Sequence, residues 1–437
     1  MCIVLAKEPM KRVRVGIAGF GTVGRATAEI ISAHADLIAQ RSGVRLEVTA
    51  VCRRSGVRTE DIPAGAKVFA DWNPLVAASD VDVIVETMGG ADEARQLVLA
   101  SLKLGKPVVT ANKNLIATHG DELFALATSQ NLPIGFEASV AGGIPILRVI
   151  HESTAGERLR AVHGILNGTS NYILTQMESR GIEFEVALEE AQKAGYAEAD
   201  PSFDIDGLDA RDKLCILARM AFGGRLQVSM IPTYGIRQVR AIDVHSANRL
   251  DSTIRLVGSA EDSQNGIEIS VRPWIVSRRS MLAKVEGVNN AVFLLGDKIG
   301  MQMFYGRGAG GDATGAAVVS DLIEIAQNLA AGQISAKKVS GFMNSHDLEI
   351  SKHPRPVSWY LRLTVKDQRG IVARVAEVIA HHDINIDSLE QEPHLPKDRV
   401  SFVITVEPVS EPTIRCAVDA INSFEFMVEP ALLLRAE

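Results

Sequence analysis

Gly19-Phe20-Gly21-Thr22-Val23-Gly24 reads G-x-G-x-x-G where an apolar strand, Val13-Arg14-Val15-Gly16-Ile17-Ala18, meets a predicted helix from Arg25 to about Ile38. Glycines also mark ordinary strand-to-helix turns, so the context carries more than the motif. In this setting Gly19 permits the tight turn and Gly21 keeps side-chain atoms away from a pyrophosphate. Gly24 lets helix approach strand, and the helix N-terminus attracts phosphate. The stretch predicts a dinucleotide-binding βα unit near the start of the chain.

Leu46-Glu47-Val48-Thr49-Ala50-Val51 is the second strand, followed by Cys52-Arg53-Arg54-Ser55. Folds that select NAD place an acid at the end of this strand for the ribose 2′-hydroxyl, whereas arginine accommodates a 2′-phosphate. Here the acid is missing and Arg53 is present, which favours NADP; NAD remains open if both arginines simply project into water. Residues 81–87 form an apolar run suited to a parallel sheet covered on both faces. A helix from about Ala91 to Leu104 follows, then a strand over 106–110 ending in Ala111-Asn112-Lys113-Asn114. Ligands sit at strand carboxyl ends in such sheets, which directs Lys113 toward cofactor or substrate. Residues 132–137 read as one more strand, leading into the glycine-rich stretch 138–146. Carbonyls of such a turn beside Glu137 suit a hard cation. The residues alone favour a plain strand-to-helix turn.

From His163 the character changes. A weak strand over 161–166 breaks at Asn167-Gly168-Thr169-Ser170-Asn171-Tyr172, where Thr169 or Ser170 is expected to cap a helix beginning at Tyr172. Between Glu198 and Asp212 six carboxylates fall within fifteen residues, interleaved with Phe203, Ile205 and Leu208, which draw the segment against the protein. Asp209 precedes Lys213 by four, so a helix begun by Asp209 puts both on one face in the favourable acid-first order. Buried, such a pair orients a lysine as proton donor while neighbouring acids bind a substrate ammonium. Exposed, it is merely a modest helix contact.

Strands around 253–257, 266–271 and 291–295 predict an antiparallel sheet that also suits a dimer interface. Residues 305–315 form a second glycine-rich loop opening a helix through about Leu329, its amides placed to close over cofactor or substrate. Ser351–Val357, with Pro354 and Pro356, reads as a linker. Beyond it the predicted order is strand 359–365, helix 371–382, strands 384–389 and 400–406, helix 412–422 and strand 426–433: βαββαβ, the split ferredoxin-like arrangement. His381 and His382 fall in a helix's last turn without a matching partner, which argues against a metal pair.

At 437 residues, 46% hydrophobic and 23% charged, the chain has the composition of a globular protein of two or three domains. No apolar run approaches the roughly 18 residues that span a bilayer, and residues 1–10 lack the basic segment and length of a signal peptide, predicting an irregular start and no membrane partner. Cys2, Cys52, Cys215 and Cys416 show no paired spacing, consistent with a reducing cytoplasm. A net charge of −7 argues against a nucleic-acid surface.

Four segments together carry a family resemblance: Gly-Phe-Gly-Thr-Val-Gly at 19–24, Thr-Ala-Asn-Lys at 110–113, Asn-Gly-Thr-Ser-Asn-Tyr at 167–172 and the run from Gly195 to Lys213. The chain resembles the bacterial homoserine dehydrogenases across its length, and residues 358–437 resemble an ACT regulatory domain, with Lys366-Asp367-Gln368-Arg369-Gly370-Ile371 as its first turn. The resemblance implies α/β and α+β parts: a Rossmann-type nucleotide domain over 11–146 with a return helix about 314–345, an α+β catalytic and dimerisation domain over 147–313, a linker over 346–357 and a ferredoxin-like ACT domain over 358–437. It implies interconversion of L-homoserine and L-aspartate 4-semialdehyde with NAD(P), a step toward threonine, methionine and isoleucine. It makes Lys213 and Lys113 the catalytic lysines. Glu198 and Asp209 hold substrate, Asp204 supports Lys213, and Asn167, Thr169 and Gly195 complete the substrate site. The cofactor falls to Gly19, Phe20, Gly21, Thr22, Val23, Gly24, Arg53, Thr87, Lys113 and Gly315. A monovalent cation, Na+ or K+, falls to Glu137, Val140, Gly142 and Ile144. Feedback by threonine would act through Asp367, Gly370 and Asn385, in a homodimer or homotetramer.

Two rivals remain. An aspartate-semialdehyde dehydrogenase needs a nucleophilic cysteine, and neither Cys215, in an apolar helical run, nor Cys52, after a strand, has that setting. A non-catalytic sensor of nucleotide and amino acid has no use for a proton donor such as Lys213.

Overall fold

The computed structural model describes residues 10–53, 61–344, 346–391 and 397–437. Cys2, Arg54 and the expected irregular start lie outside them. The chain forms two compact units, one from Met1–Val162, Asp212–Met230 and Val292–Leu348, the other from His163–Arg211, Ile231–Ala291 and Glu349–Glu437.

The first unit holds six strands, β1 (Lys11–Ala18), β2 (Val44–Cys52), β3 (Lys67–Phe69), β4 (Val83–Glu86), β5 (Val108–Thr110) and β6 (Ile134–Gly135). They run parallel in the order β3-β2-β1-β4-β5-β6. The order reverses between β1 and β4, and the crevice beyond their carboxyl ends is where a doubly wound sheet takes its ligand. Val15, Ile17, Val83, Val85 and Val109 on these strands pack with Ile31, Val318, Leu322 and Ile325 from helices in one core. The helix predicted from Arg25 to Ile38 is two, Thr22–Ala33 and Ala35–Ser42, separated at His34, whose φ of −107° and ψ of 19° leave the helical region. Neither glycine nor proline announces that break. The strand expected over 132–137 is reduced to β6, and Glu137–Ser139 forms a single 3-10 turn. The return helix spans Gly311–Ala331, not 314–345, because Gly332 at φ 66° ends it in a left-handed cap.

Nine further strands follow in chain order: β7 (Leu159–Ile165), β8 (Ser252–Ser263), β9 (Gly266–Ser277), β10 (Asn289–Gly296), β11 (Gly300–Arg307), β12 (Val357–Val365), β13 (Ile386–Gln391), β14 (Val400–Val409) and β15 (Leu432–Ala436). In the second unit β8 and β9 pair as a long antiparallel hairpin closed between Ser263 and Gly266. The C-terminal module has the expected βαββαβ order, with antiparallel neighbours β15-β12-β14-β13. Leu361, Leu363, Phe402 and Ile404 on its sheet meet Val375, Ile379, Ile414 and Ile421 on its helices. The last strand begins at Leu432 and not near Phe426. β15 also pairs in parallel with β9, Arg435 opposite Trp274.

The proline-bearing segment read as a linker is tied down at several points. The Ser351 amide donates to the Ile267 carbonyl at 2.8 Å and the Arg355 amide to Glu268 Oε1 at 2.9 Å. No helix among the described residues is long and apolar enough to cross a membrane.

Candidate active site

Each glycine of the 19–24 loop meets a different demand. Gly19 has φ 94°, and a Cβ there would stand 2.5 Å from the Thr87 carbonyl; one on Gly24 would stand 2.4 Å from the Gly19 oxygen. A Cβ on Gly21 would meet nothing within 4 Å, so its cleared space is open to a ligand. The Gly19 and Phe20 amides donate to the Cys52 carbonyl at 3.1 and 3.2 Å, which fixes the loop to the end of β2 and puts half-buried Arg53 one residue away. Thr87 Oγ1 donates to the Gly19 oxygen at 2.7 Å. Thr22 and Val23 open the helix behind the loop, and Phe20 is fully buried. A cavity of about 810 Å³ beside them is lined by Thr22, Arg25, Arg307, Gly310 and Asp312. Gly315 is not among the residues on this cavity's wall; a Cβ on it would meet the Thr27 amide at 3.1 Å, so its missing side chain lets two helices approach closely.

At the ends of β4 and β5, Glu86 is fully buried. Its carboxylate accepts from the Met88 amide at 2.7 Å and from Thr110 Oγ1 at 2.5 Å, while the Asn112 amide donates to Thr110 Oγ1 at 3.0 Å. Asn112 caps the helix Lys113–Ser129 through the Leu115 amide at 3.0 Å. Lys113 is therefore the first helical residue, where the helix dipole disfavours a cation. Helix stability does not account for a lysine there.

Burial pushes the Glu86 carboxyl up to about 7, against bonds from Thr110 and Met88 that pull it down. The folded state then binds more protons than the unfolded one between about pH 4.5 and 7, so this group's share of stability falls as pH rises across that window and stays lost above it. Its size is about 3 kcal/mol at most. Glu137 and Asp321, raised to about 7 and about 6 by burial, add in the same direction. Melting temperature is expected to decline from pH 5 to 8, and Glu86→Gln to flatten part of that slope; an unchanged slope in a fluorescence melt would refute the assignment.

The helix Leu208–Phe222 carries Asp209, Asp212 and Lys213, exposed by 4, 0 and 7%. Asn114 Nδ2 donates to Asp212 Oδ2 at 2.9 Å. That bond joins the residue after Lys113 to the residue before Lys213, so the two lysine-bearing helices are fastened one residue from each lysine. In the second unit Asn167 Nδ2 donates to both Asp204 Oδ1, at 2.7 Å, and Asp209 Oδ2, at 2.9 Å. Asn167, not Thr169 or Ser170, caps the following helix, which starts at Gly168. The residue three before Ser170 already has the favoured capping side chain, which displaces the later candidates. Thr169 Oγ1 instead donates to the Tyr196 carbonyl at 2.8 Å. Gly195 and Glu198 lie exposed at the head of the acidic segment.

Glu137 is buried, and its carboxylate accepts the Leu147 and Arg148 amides at 2.9 and 2.8 Å. Val140, Gly142 and Ile144 are buried close by in sequence, with Ala141 and Gly142 both left-handed. No group of three His, Cys, Asp or Glu among the described residues suits a metal. A cation here would depend on backbone carbonyls, the donor set that hard ions accept.

Residues 145–323 match the homoserine dehydrogenase model, 19–137 the homoserine dehydrogenase NAD-binding domain and 359–426 the ACT domain. A homoserine dehydrogenase of Pseudomonas aeruginosa is 38% identical over 435 residues, covering 98% of this chain and 99% of its own. The chain belongs to the homoserine dehydrogenase family. It is thereby an oxidoreductase with a nicotinamide-binding domain. Among solved structures, a homoserine dehydrogenase from Thiobacillus denitrificans superposes with a TM-score of 0.90 at 34% identity, covering 98% of this chain and 99% of that one. A hyperthermophilic archaeal homoserine dehydrogenase in complex with NADPH gives 0.61 at 32%, covering 72% and 97%. Cys52 and Cys215 are buried, unlike the nucleophile the cysteine-dependent rival requires. Sequence reasoning missed the buried bonds of Glu86 and the Asn114–Asp212 contact; an acid ending an apolar parallel strand was the available signal for the first.

Proposed function

We propose that this chain reduces L-aspartate 4-semialdehyde to L-homoserine, and reverses that reaction, with NADP preferred over NAD and Lys213 as the proton donor. The observation that carries the reading is the Asn114–Asp212 bond, which keeps the neighbours of Lys113 and Lys213 within 2.9 Å. When bound, the nicotinamide supplies hydride to the aldehyde carbon. The Lys213 ammonium gives its proton to the aldehyde oxygen as it becomes an alkoxide, and Lys113 orients that oxygen and stabilises its charge. Asp209, Asp204 and Glu198 hold the substrate ammonium, with Asn167 fixing the first two. Arg53 takes the 2′-phosphate.

The carbonyls of Glu137, Val140, Gly142 and Ile144 suit Na+ or K+, which would stiffen the turn after β6. Asp367 and Gly370 line a cavity of about 150 Å³ that suits threonine as effector. Asn385, whose Nδ2 donates to Glu407 at 3.2 Å, is not on its wall. Met301 and Tyr305 on β11 are 65 and 53% exposed, which supports pairing into a homodimer or homotetramer. The enzyme would serve threonine, methionine and isoleucine synthesis in the cytoplasm.

The test is absorbance of reduced nicotinamide on mixing protein, homoserine and either cofactor. A rise is expected, larger with NADP, and Arg53→Glu should lower the NADP-to-NAD ratio of kcat/KM at least about tenfold. No rise with either cofactor sinks the reading.

A further inference from the structure

The helices Lys113–Ser129 and Leu208–Phe222 are joined a second time, beyond the Asn114–Asp212 bond. The Arg219 guanidinium, buried in the first unit, pairs with Asp121, whose side chain is 48% exposed. Asn114 and Asp121 stand seven apart on one helix, and Asp212 and Arg219 stand seven apart on the other. Seven residues are close to two turns, so both bonds lie on one face of each helix, about 10 Å apart along it, and the two helices run side by side in the same direction. A third segment seals the far bond. Arg219 Nε and Nη2 donate to the Gly341 carbonyl at 3.1 and 3.0 Å, and the guanidinium lies over the Phe342 ring, 4.0 Å from its centroid. Phe342 in turn meets Phe124, on the first helix, with 4.7 Å between ring centroids. Glycines make this approach possible: a Cβ on Gly120 would stand 2.5 Å from the Phe342 ring, and one on Gly341 would strike the Arg219 carbonyl.

A buried ion pair is weak evidence of stability, because well-packed apolar groups of similar volume often serve as well. What the pair adds is fixed placement. One bond leaves two helices free to turn about it, whereas a second bond two turns away removes that freedom, and each lysine sits one residue from the first. Arginine suits this task, since its planar fork holds the carboxylate, the carbonyl and the ring face together, which a lysine ammonium does not. From this geometry we infer that Asp121 and Arg219 are positioning residues, which set the spacing of Lys113 and Lys213 from about 10 Å away. That the lysines are the groups positioned rests on the proposed function; the fastening of the two helices does not.

The experiment sets Asp121→Ala against Glu122→Ala in the full-length protein. Each removes an exposed acid from the same helix, but Glu122 holds Arg95 of the helix Asp92–Lys103, at 2.5 and 2.6 Å, and not the helix bearing Lys213. The readouts are steady-state reduction of L-aspartate 4-semialdehyde by NADPH, and amide hydrogen exchange by mass spectrometry. Asp121→Ala is expected to lower kcat at least about fivefold with both KM values within about twofold, since a misplacement near 1 Å can cost about 10²-fold. Exchange over residues 113–118 and 212–217 should quicken in the same variant, and Glu122→Ala should match wild type in both readouts. Unchanged kcat in Asp121→Ala, an equal loss in Glu122→Ala, or a loss confined to KM would each overturn the positioning role. Unchanged exchange in Asp121→Ala would overturn the fastening itself. Exchange quickened by Asp121→Ala alone, in a protein whose wild type reduces no semialdehyde, would refute the substrate reading and leave the fastening standing.

Discussion

Lys213→Met is expected to lower kcat for reduction of L-aspartate 4-semialdehyde by about 10²- to 10⁴-fold while NADPH affinity stays within about twofold. The size follows from the step removed. Without a positioned ammonium the alkoxide must find its proton in water, and the loss falls on the transition state, so kcat and kcat/KM should drop together with little change in KM. Cofactor affinity is spared because the loop at Gly19–Gly24, the Cys52 carbonyl that anchors it and Arg53 are all remote in sequence from the lysine helix. Lys213 is also buried near acids, and removing a buried charge destabilises in its own right. Lys213→Arg separates the two effects. It keeps a cation on the helix, but guanidinium does not release a proton near neutral pH. Melting near wild type with turnover as low as in Lys213→Met would assign the loss to chemistry. Full activity in either variant, by steady-state absorbance, removes Lys213 from the mechanism.

What the sequence made legible was what steric demand writes locally. The loop at Gly19–Gly24 is readable because a Cβ at Gly19 or Gly24 would strike backbone at 2.5 or 2.4 Å, and few residue patterns satisfy both. The C-terminal module was readable because apolar Trp359, Leu361, Leu363 and Val365 alternate along one strand with Tyr360, Arg362 and Thr364, and its helices carry strong apolar stripes. β11 left no such trace: none of its residues is buried, so no periodicity marks Gly300–Arg307 as a strand. The site was half legible. Asp209 and Lys213 share a helix and announce themselves by spacing. Glu86 with Thr110 and Asn114 with Asp212 meet across 24 and 98 residues, which local pattern does not encode.

Asp243→Ala is expected to destabilise the second unit by about 3–5 kcal/mol, more than any surface substitution in it. Asp243 is fully buried on the helix Ala241–Arg249 and accepts from the Arg240 amide at 2.8 Å, closing that helix's capping box. The same carboxylate accepts from Tyr360 Oη at 2.8 Å and from the Arg362 guanidinium, both on β12 and both buried. One acid thus fastens the C-terminal module to the helix beside it. Burial pushes its carboxyl above the usual range even though Arg362 pulls it down, so the pair sits where desolvation is severe. Truncating the acid leaves a buried guanidinium without its counter-charge, a tyrosine hydroxyl without its acceptor and a helix amide uncapped. The expected readout is an early unfolding step in calorimetry. Asp243→Leu combined with Arg362→Met tests the cause, because removing both charges from a buried pair is often nearly neutral whereas removing one is not. Recovery of most of the lost stability in the double variant would show that the cost lies in the stranded charge. A double variant as unstable as Asp243→Ala would place it in the lost cap and hydroxyl bonds instead, and an Asp243→Ala protein that melts as wild type would refute the fastening altogether.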